Sequence, residues 1–162
     1  MGLKSMERKS LHLYPPSKHW IFQFNPEIYN WFNWIKENKN SEQWLVSRFA
    51  KLICIGDKAA IWACGKEGGI YALGEIITYP LKKPLNPEQA KHYLVKDDID
   101  KFRKKPSVSI KYFKVLVERP LSIDKCKKDN VLSSLEPLNN FANATNFKLT
   151  KTQWDKIAEI VQ

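Results

Sequence analysis

An α+β fold, a small mixed β-barrel with helices packed between and around its strands, is what this sequence predicts. Three observations point there. Strand-like segments fall at both ends of the folded part, at 19–24 and 145–149, and in the middle at 58–64, 70–79 and 108–117. Helix-like segments are interspersed without the regular strand–helix alternation that a doubly wound parallel sheet requires. The chain has 162 residues, 43% of them apolar, which fits one domain with a core of its own.

The elements follow in order. Residues 1–18 read as a flexible basic arm with Lys4, Arg8, Lys9 and Lys18, interrupted by Pro15-Pro16. A single domain is expected over 19–162. Its first strand, H-W-I-F-Q-F at 19–24, is aromatic and β-branched. Asn25-Pro26 has the chemistry of a helix start, Asn as N-cap and Pro at the first helical position. Ile28, Trp31, Phe32 and Ile35 would then form one buried stripe, with Tyr29 and Trp34 off it. Residues 42–46 are extended, and Ser47 is placed to cap a short helix running to Ile53. Gly56-Asp57 turns the chain into strand 58–64, and Gly65 to Gly69 closes a hairpin onto 70–79. A linker with Pro80, Pro84 and Pro87 leads to a charged segment, 88–105, with two short helices outside the barrel. In strand 108–117 the alternation slips at Tyr112 to Lys114, the mark of a bulge. Residues 122–128 and 130–135 are short helices or turns. After the extended 145–149, Thr150 and Gln153 make a capping box, and Trp154, Ile157, Ala158 and Val161 line the inner face of the last helix.

Charge and composition narrow the function classes. The net charge of +10, from 27 Lys+Arg against 17 Asp+Glu, raises the expectation of nucleic acid or another polyanion. Arginine occurs only at 8, 48, 103 and 119, so most of the excess is lysine, which also serves simply to solvate a surface. No apolar run approaches the ~18 residues of a membrane span, and 1–18 lacks the apolar block of a signal peptide. A cytoplasmic protein is expected. Cys54, Cys64 and Cys126 form no C-x-x-C pair, as in a reducing compartment. His12, His19 and His92 have no metal-ligand or nucleophile–base spacing. Asp97, Asp98 and Asp100 read as helix-start carboxylates. Gly65-x-x-Gly68-Gly69 lacks the Lys-Ser/Thr of a phosphate loop and joins two strands. No catalytic residue, metal or cofactor is expected, and a binding module is favoured over an enzyme.

The aromatic residues carry the binding reading. Trp20, Trp31 and Trp154 fit the core by their spacing. Trp44 opens the densest motif, 44–80, and Trp62 lies within it near the strand end that feeds the glycine hairpin; the motif also holds Ser47 and Arg48. Aromatic planes beside a few hydrogen-bonding side chains suit a flat polar ligand such as a nucleobase, and core packing weighs about equally for each tryptophan. Asn25 and Ser47 have a double reading, as caps or as base-edge contacts. Arg48 suits a phosphate or base edge, against a salt bridge to Glu42 or Asp57.

Taken together, W-I-F-Q-F-N-P-E at 20–27, W-L-V-S-R-F-A-K-L-I at 44–53, G-D-K-A-A-I-W-A-C-G-K at 56–66, G-I-Y-A-L-G-E-I at 69–76 and T-N-F-K-L-T-K-T-Q-W at 145–154 resemble the EVE domain, of the PUA-like superfamily. The resemblance spans about 20–160. It implies a twisted PUA-like β-barrel with a pocket for a base, and similarity to EVE modules found alone or with modified-DNA restriction systems. The implied function is recognition of a methylated or hydroxymethylated cytosine in DNA by base flipping. An RNA-binding PUA-like module and a nucleoside sensor are the alternatives. Residue by residue, the implied pocket is Asn25, Pro26, Trp44, Ser47, Arg48, Trp62, Gly65 and Asn146, with Lys82, Lys83, Arg103, Lys104 and Lys105 on the nucleic-acid backbone. A separate restriction or nuclease effector is the expected protein partner. Cys64 stands where this subgroup often has Ser, and N-N-F-A-N-A at 139–144 lacks an expected Gly.

Overall fold

A seven-stranded mixed sheet curls into a half-barrel, and helices flank it. The computed structural model describes residues 17–37, 40–139 and 144–162. The strands are β1 (His19–Phe24), β2 (Ser41–Leu45), β3 (Lys58–Ala63), β4 (Gly69–Ile76), β5 (Ser107–Val115), β6 (Leu121–Ser122) and β7 (Asn146–Leu149). They lie in the order β2-β5-β4-β3-β1-β7, with β6 paired to β4. Only the β1–β3 pair is parallel, with Trp20 opposite Ala59 and Phe24 opposite Ala63. The expected arm, 1–18, lies mostly outside the described residues. Lys18, expected in that arm, belongs to the folded part: its N–H donates to Asp57 at 3.0 Å and its carbonyl accepts from Lys58 at 2.9 Å.

Two predicted helices are corrected. Asn25-Pro26 opens a turn. The Asn25 carbonyl accepts from Ile28 and Tyr29 at 2.9 and 3.0 Å, and its side chain accepts from Glu27 at 2.9 Å. Tyr29 then bridges to Tyr93 and the Asn30 N–H donates to the His92 carbonyl. Pairing with the 88–105 excursion thus keeps 29–30 out of the helix, and helix α1 (Trp31–Lys36) starts only after Asn30, whose side chain accepts from Asn33. The buried stripe moves with the start. Tyr29 and Trp34, expected off it, are buried with Trp31, while Ile28, Phe32 and Ile35 are half-buried. Ser47 caps no helix either. Phe49 takes a left-handed φ of 63°, which a right-handed helix cannot pass through, and the segment is a turn closed by Leu52 N–H on the Phe49 carbonyl at 2.9 Å.

Most other elements lie near their expected places, though the strand expected over 70–79 ends at Ile76, and β6 and the helix Glu136–Asn139 were not expected. The 88–105 segment holds α2 (Pro87–Ala90), a 3-10 turn (Lys96–Asp100) and α3 (Lys101–Lys104). Between Leu73 and Gly74 the β4–β5 register shifts and leaves Phe113 unpaired, the predicted bulge. Gly69 admits no side chain, since a Cβ there would stand 2.3 Å from the Leu121 carbonyl oxygen of β6. Ser122 caps α4 (Ile123–Lys128), a 3-10 turn covers Leu132–Ser134, and α5 (Glu136–Asn139) precedes β7. Thr150 and Gln153 close the capping box of α6 (Lys151–Ile160).

Burial on both faces of the sheet gives two cores. Trp20, Phe22, Phe24, Trp31, Trp44 and Ile61 belong to one, rich in aromatic rings. Ile21, Trp62, Leu73, Phe147, Trp154 and Ile157 belong to the other, beneath α6. The half-barrel is open between β2 and β7, and side chains span that gap. Asn146, fully buried, accepts at Oδ1 from the Ser47 and Arg48 N–H groups at 3.0 and 3.2 Å and donates to the Arg48 carbonyl at 2.8 Å. Thr145 adds a bond from its hydroxyl to the Leu45 carbonyl at 2.9 Å.

Candidate functional site

At the end of the sheet where β1, β2 and β3 finish and β7 begins, a cavity of about 540 Å³ opens between the barrel and the 88–105 excursion. Its aromatic walls are Phe24, Tyr29, Trp44 and Tyr93. Tyr29 stacks on Tyr93 with ring centroids 4.5 Å apart and meets Trp44 edge-on at 6.4 Å. Gln23, Asn25, Cys64 and Thr145 supply polar lining, and Asp98, Lys101 and Lys105 stand on the α3 side. Strand ends put these groups together: alternation along a strand sorts residues between two faces, and only its last residues reach around the rim.

The polar lining is partly uncommitted. The Ala144 carbonyl can only accept, so it fixes Gln23 Nε2 toward itself at 2.6 Å, and Gln23 Oε1 accepts from the Cys64 thiol at 3.3 Å. Among the described residues the Gln23 amide retains one N–H and one lone pair. Among the described residues, Asn25 uses its oxygen on Glu27 and its amide N–H groups have no partner, and Lys105 has no ion-pair partner. Lys101 is paired with Asp98 at 3.2 Å.

Behind the aromatic wall lies Glu42, only 4% exposed. It accepts hydrogen bonds from Tyr29 Oη at 2.5 Å, Trp31 Nε1 at 2.6 Å and the Tyr112 hydroxyl, and Gln89 Nε2 stands at 3.5 Å. Tyr112 in turn accepts from Trp44 Nε1 at 2.8 Å, so the network reaches the cavity wall. No cation pairs with Glu42 among the described residues. Burial pushes its carboxyl from 4.5 up to about 7, against the opposing pull of the Tyr112, Tyr29 and Trp31 donors. Burial, with Glu42 adding, also raises the Tyr29 and Tyr112 hydroxyls. The folded state therefore holds a proton on Glu42 that the unfolded chain releases between pH 4.5 and about 7. This contribution to stability is present below pH 4.5 and is lost as pH rises through 7. Denaturant unfolding of wild type and Glu42→Gln across that range should show the wild-type advantage falling with pH, by at most about 1.4 kcal/mol per unit.

The structure gathers some of the sequence-predicted site residues and disperses others. Asn25, Trp44 and Lys105 line the cavity. Pro26 is half-buried beside Asn25 in the turn. Ser47 and Arg48 adjoin it through the β2–β7 clasp: Ser47 Oγ accepts from Thr145 N–H at 2.8 Å, and the Arg48 guanidinium binds the Asn146 carbonyl at 3.1 Å and Glu136 at 3.3 Å. Glu136, rather than Glu42 or Asp57, is thus the partner of Arg48. Asn146 is spent on the clasp and is not among the residues lining the cavity. Trp62 is 2% exposed in the core beneath α6, on the other side of the sheet, and cannot stack on a ligand in the cavity. Gly65, with φ of 96°, lines a separate cavity of about 510 Å³ beside α4. Lys82, Lys83, Arg103 and Lys104 are exposed outside the cavity. Sequence reasoning missed Gln23, Tyr29, Tyr93 and Lys101. Gln23 had one signal, a lone polar residue in an aromatic strand; Tyr93 had none, because its place depends on the 29–93 bridge.

Among the described residues no helix is long and apolar enough to cross a membrane, and no cluster of His, Cys, Asp and Glu could hold a metal ion. Cys54, Cys64 and Cys126 are free thiols.

The family model of the EVE domain matches residues 18–160. None of the curated protein sequences matches the chain. Solved structures share the fold at low identity. A protein from Leishmania major superposes with a TM-score of 0.64 at 12% identity, covering 89% of this chain and 94% of its own. Protein PSPTO5229 from Pseudomonas syringae gives 0.63 at 17%, covering 89% and 99%. Human THYN1, solved in complex with DNA containing 5-methylcytosine, gives 0.61 at 17%, covering 89% and 97%. The shared fold is the curled mixed half-barrel with flanking helices, the PUA-like architecture expected from the sequence.

Proposed function

This chain belongs to the EVE domain family, and we propose that it is a non-catalytic reader of a modified base in DNA, taking the extruded base into the 540 Å³ cavity. The observation that carries the reading is the cavity itself. It pairs aromatic planes at Tyr29, Trp44 and Tyr93 with hydrogen-bonding capacity at Gln23 and Asn25 that the described residues leave unspent, and Lys105, without an ion-pair partner among them, stands at its α3 side. THYN1, of the same fold, is solved with DNA containing 5-methylcytosine, which favours a methylated cytosine as the first ligand to try. The base would stack on Trp44 and Tyr93 and present its edge to Gln23 and Asn25. Flipping costs a few kcal/mol, and stacking returns about 1–3 kcal/mol per base. Lys101 and Lys105, with Lys82, Lys83, Arg103 and Lys104 farther out, would meet phosphates. In the cytoplasm such a reader would direct a restriction or nuclease effector to modified sites.

The test is binding of fluorescent duplexes carrying cytosine, 5-methylcytosine or 5-hydroxymethylcytosine at two salt concentrations, with an RNA strand as competitor. A preference for one modified duplex that survives added salt is expected, while overall affinity falls with salt. Binding without preference leaves only a basic surface, and displacement by RNA favours an RNA-binding module. Lys105→Ala should weaken all duplexes alike and lower the log–log salt slope by about 1.

A further inference from the structure

The cavity is polarised. Its back wall rests on Glu42, a buried carboxylate with no cationic partner among the described residues. Its lysines, Lys101 and Lys105, come from the α3 side, and the first of them is neutralised by Asp98. The acidic group thus sits behind the aromatic wall and the lysines stand on the α3 side. Glu42 also acts through the rings. Tyr29 donates to it directly, and Trp44 is connected to it through the Tyr112 hydroxyl. An aromatic ring whose X–H group donates to a carboxylate becomes richer in electrons, and its face attracts cations more strongly.

Resting on the base-reader function proposed above, we infer that the cavity selects a base that is cationic at neutral pH, the class made by alkylation of a ring nitrogen that carries no hydrogen, on an anionic backbone held by the lysines. Such a base would lie between the Tyr93 and Trp44 rings and supply the counter-charge that Glu42 lacks. The raised Glu42 carboxyl agrees: at neutral pH it is only partly ionised, and a cation in front of it would hold it ionised. The groups facing Glu42 are Tyr29 from the turn after β1, Trp31 from α1, Gln89 from α2 and Tyr112 from β5, none of them cationic. The charged residues lining the cavity are Asp98, Lys101 and Lys105.

The test compares duplexes carrying one 3-methylcytosine with duplexes carrying one 3-methyluracil, at pH 7.5, where more of Glu42 is ionised. The two bases have almost the same shape and both are blocked from Watson–Crick pairing, so ease of flipping is matched and charge differs. Wild type should bind the 3-methylcytosine duplex about tenfold more tightly, and Glu42→Gln should bring the ratio toward one. Asp98→Asn, at the solvent-facing side, should narrow the ratio too and serves if Glu42→Gln fails to fold. A ratio near one in wild type, or one unchanged in the folded variants, overturns the inference. If 5-methylcytosine is nevertheless preferred over cytosine in the same assay, the reader function stands without it. If no modified duplex is preferred, both fall.

Discussion

Replacing Trp62 by alanine is expected to cost about 3–5 kcal/mol of folding stability, the range for a large aromatic side chain removed from a packed core. Trp62 is 2% exposed and packs with Ile21, Leu73, Phe147 and Ile157 beneath α6. Part of the loss is the transfer of the indole back to water, and part is the cavity left behind, which the surrounding β-strands and α6 can fill only partly. The midpoint of urea unfolding measures it. The milder Trp62→Phe, which keeps a ring in place, should retain the wild-type preference among modified duplexes. A Trp62→Phe protein that folds but loses that preference would return Trp62 to the binding site.

Tyr93→Ala and Trp44→Ala should have the opposite profile, with the larger effect on selectivity. Each removes one ring from the cavity, so the preference for a modified over an unmodified duplex should fall roughly five- to hundredfold, the equivalent of about 1–3 kcal/mol of base stacking. Binding through phosphates should persist, because neither change touches a lysine. Tyr93 is the cleaner site. It is half-buried and its main contact is the stack on Tyr29. Trp44 is 5% exposed, packs against Phe22 and Phe24 and donates to Tyr112, so its alanine variant also loses stability. Retained selectivity in a folded Tyr93→Ala protein would count against the cavity. Titrating both variants with methylated and unmethylated duplexes at one fixed salt concentration settles it.

The contrast between Trp44 and Trp62 shows how far the sequence carries. Strand positions, the Leu73/Gly74 bulge opposite Tyr112 to Lys114 and the Thr150–Gln153 capping box were legible, because local periodicity and side-chain chemistry decide them. The two tryptophans were not distinguishable. β3 is K-A-A-I-W-A, apolar on both faces, and a strand buried on both sides has no alternation to say which face is which. The misplaced helix start at Asn25 has a similar origin. Asn-Pro satisfies local capping rules, but pairing of Tyr29 with Tyr93 is a long-range contact that propensity cannot register. Asn146 was legible as a marked residue and not in its role. Three backbone contacts across the β2–β7 gap make it the clasp that sets one side of the cavity. Glu42 read only as a salt-bridge partner for Arg48, though burial among Tyr29, Trp31 and Tyr112 makes it the acidic centre behind the wall.

The central claim is that a base enters the cavity in front of Trp44, and the indole N–H signals of the tryptophans report on it directly. In a ¹⁵N–¹H titration with a 5-methylcytosine duplex, the Trp44 signal should move strongly, since its N–H is tied to Tyr112 at the cavity wall, while the Trp62 signal beneath α6 stays in place. Formation of the complex with Trp44 unmoved would contradict the account and place the nucleic acid elsewhere on the basic surface.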